Sequence, residues 1–134
     1  MPAVLYVDDE ATIRRAVQLW LRKHGVTVFT ATGVGEALDI LATERVDGVF
    51  IDAWLEDGTG FDVYDWIRAE RPTLARNVAF ITGDTASPSS RARLEATGRP
   101  VLAKPFDLEA VRNIAASWAR GGGSGAVARG ELRD

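Results

Sequence analysis

The sequence predicts a three-layer α/β domain, with a parallel five-stranded sheet covered by helices on both faces. Three observations predict it. Five short apolar runs alternate with five segments whose apolar residues recur at helical spacing, a βα unit five times over. One of those runs, Val49-Phe50-Ile51, is apolar throughout, as suits a strand buried on both faces, and it ends directly in Asp52. The chain of 134 residues, 46% hydrophobic and 26% charged, is sized and composed for one ordinary core.

The elements follow in order. Residues Ala3 to Val7 form a first strand that runs into Asp8-Asp9-Glu10. Ile13, Val17, Trp20 and Leu21 then share one helical face, and Gly25 is placed to end that helix in the left-handed conformation. His24, the sole histidine, suits a favourable charge at that helix end better than a catalytic role. Val26 to Ala31 carries Thr27 and Thr30 and reads as a more exposed edge strand. Val34, Ala37, Leu38 and Leu41 make the second helix. The third strand is Val49 to Asp52, with Asp52 at its carboxyl end because charge is costly inside such a strand.

After a Gly58-Thr59-Gly60 turn, Phe61, Tyr64 and Ile67 give a third helix, closed by Pro72. Val78 to Ile81 is the fourth strand and ends in Thr82-Gly83-Asp84. Ser87-Pro88 supplies an N-cap and a first-turn proline for the fourth helix. That helix has Leu94 and small alanines set among Arg91, Arg93 and Glu95, so it is expected to be the least firmly docked; Gly98 ends it. Val101 to Ala103 leads into Lys104-Pro105, and Asp107 caps a last helix bearing Leu108, Val111, Ile114, Ala115 and Trp118. Trp20, Trp66 and Trp118 read as packing residues. The domain is expected over 1–120, followed by a glycine-rich, disordered tail over 121–134.

Composition narrows the function classes. A net charge of -3 without a basic run argues against direct nucleic-acid binding. Zero cysteines exclude disulfides and thiolate metal sites and fit a reducing, cytoplasmic setting. No apolar stretch approaches the roughly 18 residues of a membrane span.

In a parallel sheet the carboxyl ends share one edge, where open α/β sheets bind their ligands. Here they deliver Asp8 and Asp9, Asp52, Thr82, and Lys104, one of two lysines among 14 arginines. Singly, each has a plainer reading: helix capping for Asp8-Asp9, a turn for Asp52, solvation for Lys104. Jointly they are specific. Crowded carboxylates require a proton or a cation, and Mg²⁺ needs only one or two carboxylates plus a phosphate. The set suits phosphoryl transfer onto Asp52 as a covalent nucleophile, with Lys104 and Thr82 meeting phosphoryl oxygens.

On Val7-Asp8-Asp9-Glu10, Ile51-Asp52 with Gly58 and Gly60, Phe80-Ile81-Thr82-Gly83 and Lys104-Pro105-Phe106, the chain resembles response-regulator receiver domains of two-component signalling over residues 3–119. The resemblance implies a flavodoxin-like (βα)5 fold with strand order 2-1-3-4-5. It implies Asp52 as phosphoacceptor for a phosphohistidine of a sensor histidine kinase or a histidine phosphotransfer protein. It implies Mg²⁺, or Mn²⁺ in its place, held by Asp9, Asp52, Asp8 directly or through water, and the backbone carbonyl of Trp54. Lys104 and Thr82 would contact the phosphoryl group, Asp84, Val101 and Glu10 would modulate the site, and the Lys104–Pro105 bond would be cis. Output would come through a downstream protein partner, and a homodimer through helix 4, strand 5 and helix 5 stays open.

Two positions depart from the family pattern. Val101 stands where an inward-swinging aromatic is usual, so the fourth helix is the expected carrier of any conformational change. Trp54, two after the acceptor, is bulkier than usual and is expected to shield an acyl phosphate from water. A stand-alone regulator is the reading, with a module of a hybrid sensor histidine kinase as the alternative. An aspartate-nucleophile phosphatase of the haloacid-dehalogenase type fits less well, because it would place its nucleophile on strand 1 and an aspartate at position 10, where this chain has Glu10. A docking-only receiver need not keep the acids and lysine, all of which are present here.

Overall fold

The computed structural model describes residues 2–84 and 87–121, so the expected tail from 122 onward lies outside the described residues. The chain runs β1 (Ala3–Val7), α1 (Ala11–Lys23), β2 (Thr27–Ala31), α2 (Val34–Thr43), β3 (Gly48–Asp52), β4 (Trp54–Leu55), β5 (Gly58–Thr59), α3 (Gly60–Glu70), a 3₁₀ turn (Leu74–Asn77), β6 (Val78–Thr82), α4 (Pro88–Thr97), β7 (Val101–Ala103) and α5 (Leu108–Gly121). The main sheet is parallel in the order β2-β1-β3-β6-β7, which is the expected 2-1-3-4-5 once its five strands are counted alone. The added pair β4-β5 is a two-residue antiparallel hairpin, Trp54 opposite Thr59, too short to leave a periodic signal in the sequence.

Alternation along the strands sorts the core into two layers. Leu5, Val7, Val49, Ile51 and Phe80 face α2, α3 and α4. Val4, Tyr6, Phe50 and Ile81 face α1 and α5, with Val17, Leu21, Val111, Ala115 and Trp118 packed on them. Gly48 is what lets α5 close on β3, since a Cβ there would stand 2.0 Å from the Trp118 ring.

The helix ends are where local chemistry puts them. Gly25 (φ 81°) follows the C-cap His24, whose Nδ1 lies 2.9 Å from the Trp20 carbonyl. Ser87 caps α4 with Pro88 in its first turn, and Gly98 closes it in the left-handed conformation. Asp107 accepts from the Glu109 amide at the start of α5. The helix α3 ends at Glu70, just before Arg71-Pro72.

The helices are docked unequally. Four apolar side chains of α3 are buried, Phe61, Val63, Tyr64 and Ile67, whereas α4 buries only Leu94 and Ser90. At about 2 kcal/mol per buried side chain, Leu94 supplies roughly a quarter of the apolar docking that α3 enjoys.

Candidate functional site

Four of the five strands of the main sheet give way to a polar side chain at its carboxyl edge: Asp8 after β1, Asp52 at the end of β3, Thr82 at the end of β6 and Lys104 after β7. Asp52 is the last residue of the central strand β3 and is almost fully buried. The chain after it turns sharply, and Gly60, the first residue of α3, packs on its backbone: a Cβ at Gly60 would stand 2.5 Å from the Asp52 carbonyl oxygen. The Gly60 amide in turn donates to the Ala53 carbonyl (2.9 Å). α3 is therefore seated directly on the acid, held by a capping box in which Thr59 and Asp62 exchange backbone and side-chain bonds.

Asp8, just past β1, is fully buried. Its Oδ1 accepts from the Glu10 amide (2.9 Å) and from Lys104 Nζ (3.3 Å), and its Oδ2 accepts from the Tyr6 hydroxyl (3.0 Å). Lys104, just past β7, reaches across the sheet edge to Asp52 Oδ2 (2.7 Å) and also donates to Glu10 Oε1. The other oxygen of Asp52 accepts from the Trp54 amide (3.0 Å). The Lys104–Pro105 bond is cis.

Burial pushes the Asp52 carboxyl above its ordinary pKa; the Lys104 hydrogen bond and the Trp54 amide offset part of that, and the charge of Asp8 adds to it. Burial also works against the charged form of Lys104, but its bonds to Asp52 and Glu10 and their charges outweigh it, so its pKa is raised.

The carboxylate oxygens of Asp8, Glu10 and Asp52 lie within 4.8 Å of one another. One ammonium among three carboxylates leaves two negative charges uncompensated, and hard oxygen donors at this spacing suit a small divalent cation. The residues present fit Mg²⁺ or Mn²⁺. Asp9 is half-buried and is not one of these three, whereas Glu10, named from the sequence only as a modulating position, is.

Thr82 is buried at the end of β6, but its hydroxyl faces Asp84: it accepts from the Asp84 amide (2.9 Å) and donates to the Asp84 carbonyl (3.2 Å). The Asp84 carboxylate in turn accepts from the Ser87 amide (3.1 Å) and the Ser90 hydroxyl (3.1 Å), which ties Thr82 to the start of α4. Trp54 is 38% exposed, with its indole edge-on to Phe61 (5.7 Å). The Arg93 guanidinium of α4 lies 4.2 Å over Phe61 and 5.7 Å from the Trp54 ring. Val101 is 40% exposed on the edge strand, paired with Phe80, and puts no aromatic near the site.

Two participants escaped the sequence reading. Tyr6 carries the one aromatic ring in an otherwise aliphatic strand, two residues before Asp8 and so on the same strand face, which is a readable signal. Asp57, at the hairpin tip, accepts from the Val34 (2.8 Å) and Gly35 (3.2 Å) amides at the start of α2, and those bonds hold its pKa down. Nothing local announces that contact.

Comparison with known proteins agrees with the geometry. The family described as "Response regulator receiver domain" matches residues 4–116. The "Probable transcriptional regulatory protein TcrX" of Mycobacterium tuberculosis is 35% identical over 81% of this chain and 45% of its own length. The "Response regulator protein PilR" of Pseudomonas aeruginosa is 33% identical over 87% of this chain and 26% of its own. This chain thus spans less than half the length of either relative. Among solved structures, a two-component response regulator from Clostridium difficile superposes with a TM-score of 0.81 at 21% identity, covering 92% of this chain and all of that one. A response regulator protein from Thermotoga maritima, solved in complex with Mg(2+)-BeF, has a TM-score of 0.76 at 23% identity, covering 88% and 99%. At those identities the likeness concerns the fold.

Proposed function

Since this chain belongs to the response regulator receiver domain family, we propose that Asp52 accepts a phosphoryl group from a phosphohistidine, and that the resulting change switches binding of a downstream protein. The donor is a sensor histidine kinase or a histidine phosphotransfer protein, and the exchange takes place in the cytoplasm. The observation that carries this reading is the buried Asp52 carboxylate at the end of the central strand, 2.7 Å from Lys104 and flanked by further carboxylates.

In the step itself an oxygen of Asp52 attacks phosphorus in line. The new O–P bond forms as the N–P bond of the phosphohistidine breaks, and its electron pair returns to the imidazole. Lys104 exchanges its contact with Asp52 for the equatorial oxygens, where its compact charge offsets that of a loose transition state. Thr82 turns its hydroxyl from Asp84 to a second oxygen. Asp9, Asp52 and the Trp54 carbonyl, with Asp8 directly or through water, would hold Mg²⁺ or Mn²⁺, which supplies neutralisation of the phosphoryl charge when bound. Glu10 competes for Lys104 and so modulates its release.

The bonds from Thr82 through Asp84 to Ser87 and Ser90 support α4 as the element that responds. When Thr82 leaves, the Asp84 amide loses its acceptor and the cap region of a thinly docked helix loosens. Trp54, partly exposed and two residues beyond the acceptor, screens the acyl phosphate.

Treatment with acetyl phosphate and Mg²⁺ followed by intact-mass measurement tests the reading. Wild type gains one HPO₃ and Asp52→Asn does not; an adduct that survives in Asp52→Asn refutes the assignment. In the same sample, hydrogen exchange over 88–97 rises on phosphorylation, and Trp54→Asn shortens the life of the adduct. Unchanged exchange removes the role of α4, and an unchanged lifetime removes the role of Trp54.

A further inference from the structure

The ring of Tyr6 lies wholly inside the layer between the sheet and α1/α5, against Phe50 (ring centroids 6.2 Å) and among Val4, Val17 and Leu21. A phenylalanine would fill that space equally well. The hydroxyl is therefore an added cost, because a buried O–H without a partner is strongly disfavoured. Among the described residues its partner is Oδ2 of Asp8, at 3.0 Å.

Asp8 is thereby fully committed. Tyr6 holds Oδ2, while the Glu10 amide and Lys104 share Oδ1, and the same Lys104 also bonds the Asp52 and Glu10 carboxylates. Because Tyr6 lies in β1 two residues before Asp8, the ring is a rigid strut beneath it, and the carboxylate plane is fixed by bonds at both oxygens. We infer that Tyr6 is a positioning residue for the cation site: its hydroxyl occupies one oxygen of Asp8 and presents only the other to a divalent ion, directly or through a water. Groups that hold a ligating carboxylate in this way influence metal affinity nearly as strongly as the ligands themselves. The inference rests on the receiver reading above.

The test is a titration of the full chain with Mn²⁺, following free aquo-ion by electron paramagnetic resonance, beside urea unfolding of the same variants. Tyr6→Phe keeps the ring and loses only the hydroxyl; its Kd for Mn²⁺ is expected to rise about tenfold. Tyr6→Leu should show the same rise even if it is less stable. Val17→Ala, in the same core layer but with no hydrogen bond to Asp8 to lose, should lose stability and keep its Kd. A Kd for Tyr6→Phe within about twofold of wild type, or an equal rise in Val17→Ala, overturns the inference while leaving the receiver reading in place. A wild type that binds no Mn²⁺ would overturn both.

Discussion

Asp52 and Asp57 lie five residues apart, at the two ends of the loop that leaves the central strand, and the protein uses them in opposite ways. Asp52 is buried among other acids, and burial lifts its pKa. Asp57 is exposed at the hairpin tip, and two backbone amides of α2 lower its pKa. The first is a charge the fold tolerates at the edge of its core; the second is a charge the fold recruits because the N-cap of α2 is Gly33, which has no side chain with which to cap. A Cβ on Gly33 would stand 2.5 Å from Asp57 Oδ1, so the glycine is what lets the carboxylate in. The difference teaches that the sign of a carboxylate's contribution follows from its donors and its burial, not from its place in the chain.

The sharpest way to break the contrast is to remove the cation that makes the acid pocket bearable. Lys104→Ala leaves Asp8 and Asp52 buried beside Glu10 without a positive charge, and breaking a buried ion pair of this kind costs about 3–5 kcal/mol. Urea unfolding without divalent ions should show a loss of that order, with much of it restored by millimolar Mg²⁺. A loss below about 1 kcal/mol would mean that the pocket is better hydrated than its burial indicates.

Asp52→Asn should act in the other direction. Its folded-state pKa is raised above the unfolded value of 3.8, so the ionised form is what the fold disfavours. The cost is absent below the unfolded value, grows as pH rises towards the folded one, and is complete above it. The variant is expected to be more stable than wild type by about 1 kcal/mol at pH 7, again without divalent ions, and equal to it in acid. A variant less stable at pH 7 would mean that the Lys104 contact outweighs burial.

These effects mark what sequence alone could and could not reveal. The strand order, the helix stops at Gly25 and Gly98, the Ser87-Pro88 start and the position of Asp52 were legible because each is announced by neighbouring residues. The buried joining of Asp8, Asp52 and Lys104 was legible because a parallel sheet brings strand ends to one edge. The alignment of Glu10 rather than Asp9 with Lys104 was not, since it depends on the extended backbone of Glu10 at the N-cap of α1. The hairpin of Trp54–Leu55 with Gly58–Thr59 has too few residues for any period. The long-range cap from Asp57 to α2 spans more than twenty positions and has no local cue.

Asp57→Asn is the smallest and most discriminating change. An amide retains one acceptor oxygen, so one of the two bonds to Val34 and Gly35 survives, while the favourable charge at the α2 N-terminus is lost. For an exposed cap the expected cost is about 0.5 kcal/mol at pH 7. Because the folded pKa lies below the unfolded value of 3.8, the wild-type advantage is present above that value and is lost as pH falls through the folded one. Urea midpoints of wild type and Asp57→Asn should therefore converge in acid, as those of wild type and Asp52→Asn do, but from the opposite side. A penalty for Asp57→Asn that persists undiminished to low pH would assign its role to hydrogen-bond geometry alone and remove the electrostatic half of the contrast.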